Sequence, residues 1–187
     1  MSKQVTIFVE SDTDKQFLIG YLEFNKITFA TDNIKTLSEK DENGRERGGK
    51  SKIKGLKNSC IKLKKTSNLL LLLDYDYEQD PLNEICKTFQ AKSFITDYYL
   101  IGENLKLNKR NNLENLLLST AKHTNFINCF AQYETCIDKT LAEKSKLFAY
   151  IDATSNKHND INYPEIFDLK HTNFEPLKNF LNSHLNT

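Results

Sequence analysis

The chain has 187 residues, 39% of them apolar and 27% charged, which describes a soluble globular protein long enough to bury a substantial core. A formal net charge of +1 excludes a uniformly basic polyanion binder, and no apolar run approaches the ~18 residues of a membrane-spanning helix. With no signal-sequence pattern before the first strand, the expectation is a cytoplasmic protein without a membrane partner.

Val5 to Val9 (VTIFV) is β-branched and aromatic and predicts a first strand. Ser11 to Asp14 (SDTD) then supplies short polar side chains suited to capping a first helical turn. In the helix that follows, Phe17, Leu18, Tyr21 and Leu22 recur on one side. A second strand falls either at Ile27 to Ala30 or at Ile34 to Leu37. Ser38 to Lys52 is polar, charged and holds Gly44, Gly48 and Gly49, so a loop is expected there.

Ile53, Leu56, Cys60 and Leu63 recur at intervals of three and four with lysines on the remaining face, which predicts a basic amphipathic helix. Charge is segregated here: from Arg45 to Lys65 nine Lys or Arg stand against one Glu, a local +8 that leaves −7 for the remainder. Leu69 to Leu73 is a continuous apolar run, the mark of a strand buried on both faces in a parallel sheet. Pro81 opens a helix reaching about Phe89, and Phe94 to Ile101 predicts another strand. From Asn112 onward LENLLLSTA, NFINCFAQYETCI, KTLAEKSKLFAYIDA and EPLKNFLNSHL all read as helices.

The fold class expected is therefore α/β: a parallel sheet of about four strands flanked by helices, with a helical carboxyl-terminal elaboration. We read residues 1–187 as one domain, with an α/β core over 1–104 and the elaboration over 105–187. Cys60, Cys86, Cys129 and Cys136 form no CxxC pair and have no His at zinc-ligand spacing, so they read as reduced thiols. His123, His158, His171 and His184 fall in no ligand or triad motif.

The chemistry concentrates in acids at strand exits. Asp74 and Asp76 follow the leucine run, and in an open α/β sheet ligands bind outside the carboxyl ends of the strands. Two residues apart on an extended chain, they would project to one side and resist ionisation together unless a cation lay nearby. Glu10 follows the first strand and Asp14 lies in the first helical turn. If the two strands are neighbours, all four carboxylates gather in one crevice able to hold one or two Mg²⁺ or Mn²⁺ ions. Asp14 can equally stabilise the helix end, and Glu114, at the start of LENLLL, has the same two readings.

VTIFVESDTDKQFLIGYL together with LLLLLDYDYE resembles the Toprim (topoisomerase-primase) domain, and the ExxxD of Glu10 and Asp14 resembles that of the overcoming-lysogenization-defect nucleases. Over nearly its whole length, with GGK at Gly48 to Lys50, LENLLL at Leu113 to Leu118 and the closing FDLKHTNFEPLKNFL, the chain is similar to small stand-alone Toprim-like proteins of unknown function. Ser11 stands where the usual motif has glycine, and Tyr77 and Glu78 follow the DxD without a glycine. The resemblance implies a Rossmann-like fold and a magnesium site built on Glu10, Asp74 and Asp76, with Glu10 alternatively a general acid or base.

The leading expectation is a metal-dependent phosphodiester hydrolase, a nuclease, with Asp14 supporting a second ion. Lys50 is the candidate for stabilising transition-state charge. Arg45, Arg47, Lys50, Lys52, Lys54 and Lys57 could meet a nucleic-acid backbone, and Gly48 and Gly49 could let backbone amides approach an anion. The same lysines can instead form a solvated helix face. Two other readings stay open: a non-catalytic binding or regulatory module on the same scaffold, and a small-phosphate hydrolase or phosphotransfer protein.

Overall fold

The structure is a computed structural model that describes residues 4–40, 42, 46–47, 49–76, 81–105, 111–155 and 161–185. The chain runs through β1 (Gln4–Val9), α1 (Asp12–Phe24), β2 (Ile34–Thr36), β3 (Glu39–Lys40), β4 (Glu46–Arg47), α2 (Leu56–Leu63), β5 (Ser67–Asp74), α3 (Pro81–Ala91) and β6 (Asp97–Ile101). It continues through α4 (Leu113–Ser119), α5 (Thr124–Ile137), α6 (Glu143–Thr154), α7 (Tyr163–Ile166) and α8 (Glu175–Leu185).

Four strands form one parallel sheet in the order β2-β1-β5-β6, the α/β arrangement expected, with a Rossmann-like layering of helices on both faces. Ile7, Val9, Leu70, Leu72 and Ile101 point into a core shared with α1 and the helices after β6. Phe8, Leu69, Leu71, Leu73 and Leu100 point the other way, onto Ile53, Cys60, Cys86 and Phe89. Every leucine of the run thus has a covered face, which is why the strand shows no polar alternation.

Local chemistry sets the helix ends. At the start of α1, Ser11 and Asp14 cap each other: the Asp14 N–H donates to Ser11 Oγ at 3.4 Å, and the Ser11 N–H donates to Asp14 Oδ2 at 2.8 Å. Phe17, Leu18, Tyr21 and Leu22 are all buried, as their spacing predicts. The carboxyl-terminal helices lock onto this face through rings: Phe17 meets Tyr163 edge-on at 5.6 Å, and Tyr21 meets Phe174 at 5.3 Å. Tyr99 packs on Phe180 at 5.5 Å, tying α8 to β6.

One open alternative resolves and three local readings change. The second strand is the later of the two alternatives, Ile34–Thr36. Inside the expected loop, β3 and β4 pair antiparallel, Glu39 opposite Arg47 and Lys40 opposite Glu46; such a ribbon is held by backbone bonds and leaves no apolar pattern to read. Leu63 is 36% exposed rather than on the buried stripe, because Ile53 belongs to a tighter helical stretch over Gly49–Gly55 that precedes α2, and α2 itself is buried against the sheet side through Cys60. β6 starts at Asp97 instead of Phe94, whose ring turns away to meet Phe89 edge-on at 5.6 Å. Among the described residues no helix is long and apolar enough to cross a membrane.

Candidate functional site

From β1 the chain passes outward to β2, and from β5 it passes outward the opposite way to β6. The connections diverge between β1 and β5, which opens a crevice at their carboxyl ends. Register brings the acids there. Val9 lies opposite Leu72, so Glu10 and Asp74 leave adjoining strands within a residue of the same level. A cavity of about 240 Å³ opens at this point, walled by Glu10, Ser11, Thr13 and Asp14 from the β1–α1 turn, Ser38, Gly49, Asp74, Leu113 and Glu114 from the start of α4, and Lys144 and Leu147 from α6.

Each wall has a local cause. Asp74 continues the Leu70, Leu72 alternation and so faces the side covered by α1 and α4. Its Oδ1 accepts the Leu113 N–H at 2.9 Å, which orients the carboxylate with the first amide of α4. Asp14 is 8% exposed and its Oδ2 takes both the N–H and the hydroxyl of Ser11, each at 2.8 Å. Asp14 therefore caps α1 and faces the cavity at once, joining the two roles its position allowed. Glu10 lies against Gly49: a Cβ on Gly49 would stand 3.0 Å from Glu10 Oε1 and 3.2 Å from its Cγ. Gly49 also has φ +58, so only glycine lets the backbone come this close without strain.

The electrostatics follow from the crowding. Burial pushes the Asp74 carboxyl well above the usual carboxylate range, and the charges of Asp14, Glu10 and Glu114 push it further the same way. The Leu113 N–H opposes them. Tyr163, behind Asp14, is pushed up to about 12 by burial first and by Asp14 second. Lys144 is the one cation among the described lining residues, and its Nζ also lies 5.7 Å from the centroid of the Phe148 ring.

Glu10, Asp14, Asp74 and Glu114 are thus brought together, and Asp76 is not among the described residues lining the cavity. The chain is not extended at Asp76: its φ is +53, and it pairs with Asn111, donating N–H to the Asn111 carbonyl at 2.8 Å and accepting in return at 2.7 Å. The alternation linking positions 74 and 76 ends there, and the backbone of Asp76 instead anchors Asn111, two residues before Leu113. The backbone of Lys50 lies in the tight helical stretch beside Gly49, while its side chain is outside the described residues, as are Arg45 and Gly48. The basic run leaves the cavity quickly: α2 returns along the sheet, so Lys64 and Lys65, just before β5 begins, sit at the opposite edge.

Lys144 was not legible as a site residue. It stands seventy positions after Asp74 in a helix where Lys146 looks equivalent, yet Lys146 is bound to Glu134 at 2.9 Å. The lining donors are carboxylate and hydroxyl oxygens, the set a hard divalent cation prefers. As the side chains stand, no group of three or more His, Cys, Asp or Glu among the described residues is close enough to hold a metal. Comparison of the chain with protein-family models, curated proteins and solved structures gave no match.

Proposed function

We propose that this chain is a divalent-metal-dependent phosphodiester hydrolase of the Toprim type, a nuclease working with Mg²⁺ or Mn²⁺. The observation that carries the reading is the convergence of Glu10, Asp14, Asp74 and Glu114 on one small cavity at the point where the strand connections diverge. Four acids so placed are mutually unfavourable without a cation, and a fold keeps such a conflict where a ligand resolves it. Glu10, Asp74 and Glu114 are the residues that would hold the ion, with Asp14 on the same cavity wall held by its cap to Ser11. A divalent ion there supplies Lewis acidity toward a phosphoryl oxygen and a lowered pKa for bound water.

The chain's own groups do the rest. The Leu113 N–H fixes the rotation of Asp74, the Ser11 pair fixes Asp14, and Gly49 leaves Glu10 its place. Lys144 offers an ammonium to the phosphate oxygens at the outer wall. The volume of about 240 Å³ suits a phosphate group with part of its ester rather than a whole nucleotide, which favours a polymer lying across the mouth. The Gly49 end of the basic run is the part nearest such a polymer, since Gly49 itself lines the cavity.

Titration calorimetry of Mn²⁺ into the protein and into Asp74→Asn, with labelled single- and double-stranded DNA and RNA offered to the same samples, tests this. Binding and cleavage by the wild type, both lost in the variant, are expected. No Mn²⁺ binding by the wild type would overturn the metal site, and binding with cleavage of small phosphate esters alone would replace the nuclease reading with the small-phosphate one.

A further inference from the structure

Helix α5 carries an apolar surface wider than the body of the protein covers. None of its fourteen residues is buried; Ile127 and Phe130 lean on the main core, and Glu134 reaches Lys146 at 2.9 Å. At about 100° per residue, Phe126, Cys129, Tyr133, Cys136 and Ile137 form a second arc of roughly 100° directly beside that contact. Phe126 is 39% exposed, Tyr133 54% and Ile137 40%, and both thiols are exposed. Eleven residues of α5 are exposed and none of them is charged, in a chain that is 27% charged. Aromatic enrichment with loss of charge is the compositional mark of an interface core.

We infer that this face docks a second copy of the same chain, α5 against α5, antiparallel across a two-fold axis. A nucleic acid or a charged peptide would find no counter-charge on it, whereas a neutral arc is complementary to itself. The side chains flanking the arc, Asn125, Asn128 and Gln132, are amides, which donate and accept and so can pair with their own copies. The antiparallel sense sets the amino-terminal end of each α5 toward the carboxyl-terminal end of the partner's helix and opposes the two helix dipoles. A total charge of +1 does little to hold two copies apart.

The register follows from the thiols. Cys129 and Cys136 are seven residues apart, two turns or about 10.5 Å, on one face. An axis passing near Gln132 and Tyr133 places Cys129 opposite Cys136 of the partner subunit, and the two Tyr133 rings against each other.

Oxidation with diamide reads this out. Each disulfide formed releases two protons and two electrons, which reduce the N=N bond of diamide to a hydrazine. The other two cysteines, Cys60 and Cys86, are buried and do not compete. The wild type is expected to run at twice 21.7 kDa on a non-reducing gel, and Cys129→Ser or Cys136→Ser alone to stay monomeric there. A mixture of those two variants should cross-link again, because each supplies the thiol the other lacks. Light scattering without oxidant should give a concentration-dependent dimer that Tyr133→Lys dissociates while its circular dichroism is unchanged. One-chain mass at every concentration, or cross-linking by either single variant alone, overturns the proposal.

Discussion

Asp74 holds the sharpest conflict among the described residues, a half-buried carboxyl on the cavity wall facing three others. Its pKa in the folded state lies above its ordinary value near ~3.9, so the folded chain binds more protons than the unfolded one between those two values. Stability from this group is therefore fully present below about pH 4 and is lost as pH rises toward the raised value. Asp74→Asn keeps the acceptor for the Leu113 N–H and removes the charge. In EDTA at neutral pH we expect the variant to melt about 2–4 °C higher, a gain of about 1 kcal/mol for a chain of this length. The wild-type-minus-variant difference in urea-unfolding stability should grow more negative between pH 4 and 7. Millimolar Mn²⁺ should reverse the order by stabilising the wild type alone. Glu10 and Asp74 were legible because each sits where a strand stops, a position that needs only local pattern. Asp76 belonged to the same pattern, and the left-handed turn that takes it elsewhere has no signature in Asp-Tyr-Asp-Tyr.

At the scale of elements, the site depends on how α4 is delivered. Gly102 ends β6 with φ +87, and a Cβ there would stand 2.8 Å from the carbonyl carbon of Asn111 and 3.0 Å from the Asn112 nitrogen. Both obstacles are backbone, so nothing flexible can yield. We expect Gly102→Ala to lower stability by about 2–4 kcal/mol, from the strained φ together with the clash. Mn²⁺ affinity should fall in whatever fraction remains folded, since the displaced segment carries Leu113 and Glu114. Gly55→Ala is the control: nothing lies within 4 Å of that position, and its φ of −76 suits alanine. Equal losses at both glycines in a thermal-melt series would mean that the crossing at Gly102 does not support the site. β1, β5 and β6, with α1 and α3, were legible from periodicity and capping because their residues meet the core they imply. The β3–β4 ribbon and the tight stretch before α2 were not, since backbone pairing among charged residues and a change of helical pitch leave the hydrophobic pattern untouched.

At the scale of the whole molecule, the division at residue 104 separates a sheet from the helices that cover one of its faces. Thirteen of the twenty-four buried residues in the larger core, from Leu113 to Leu181, come after that point. Phe17 and Tyr21 of α1 would lose Tyr163 and Phe174, and the Tyr21 hydroxyl would lose the Phe174 carbonyl to which it donates at 3.3 Å. Each large apolar side chain returned to water costs about 1.5–3 kcal/mol, so uncovering five or six removes roughly 10 kcal/mol. That equals the ~5–15 kcal/mol by which a whole domain is stable. A chain ending at Asn104 is therefore expected to be unable to hold the sheet: it should give no cooperative transition in urea or on heating and should bind 1-anilinonaphthalene-8-sulfonate through its open face. The site would go with it, because Glu114, Lys144 and the amide that orients Asp74 all arrive from the far side of the cut. A cooperative transition in the truncated chain, with Mn²⁺ still bound, would show instead that the sheet and the strand-exit acids stand without the helices.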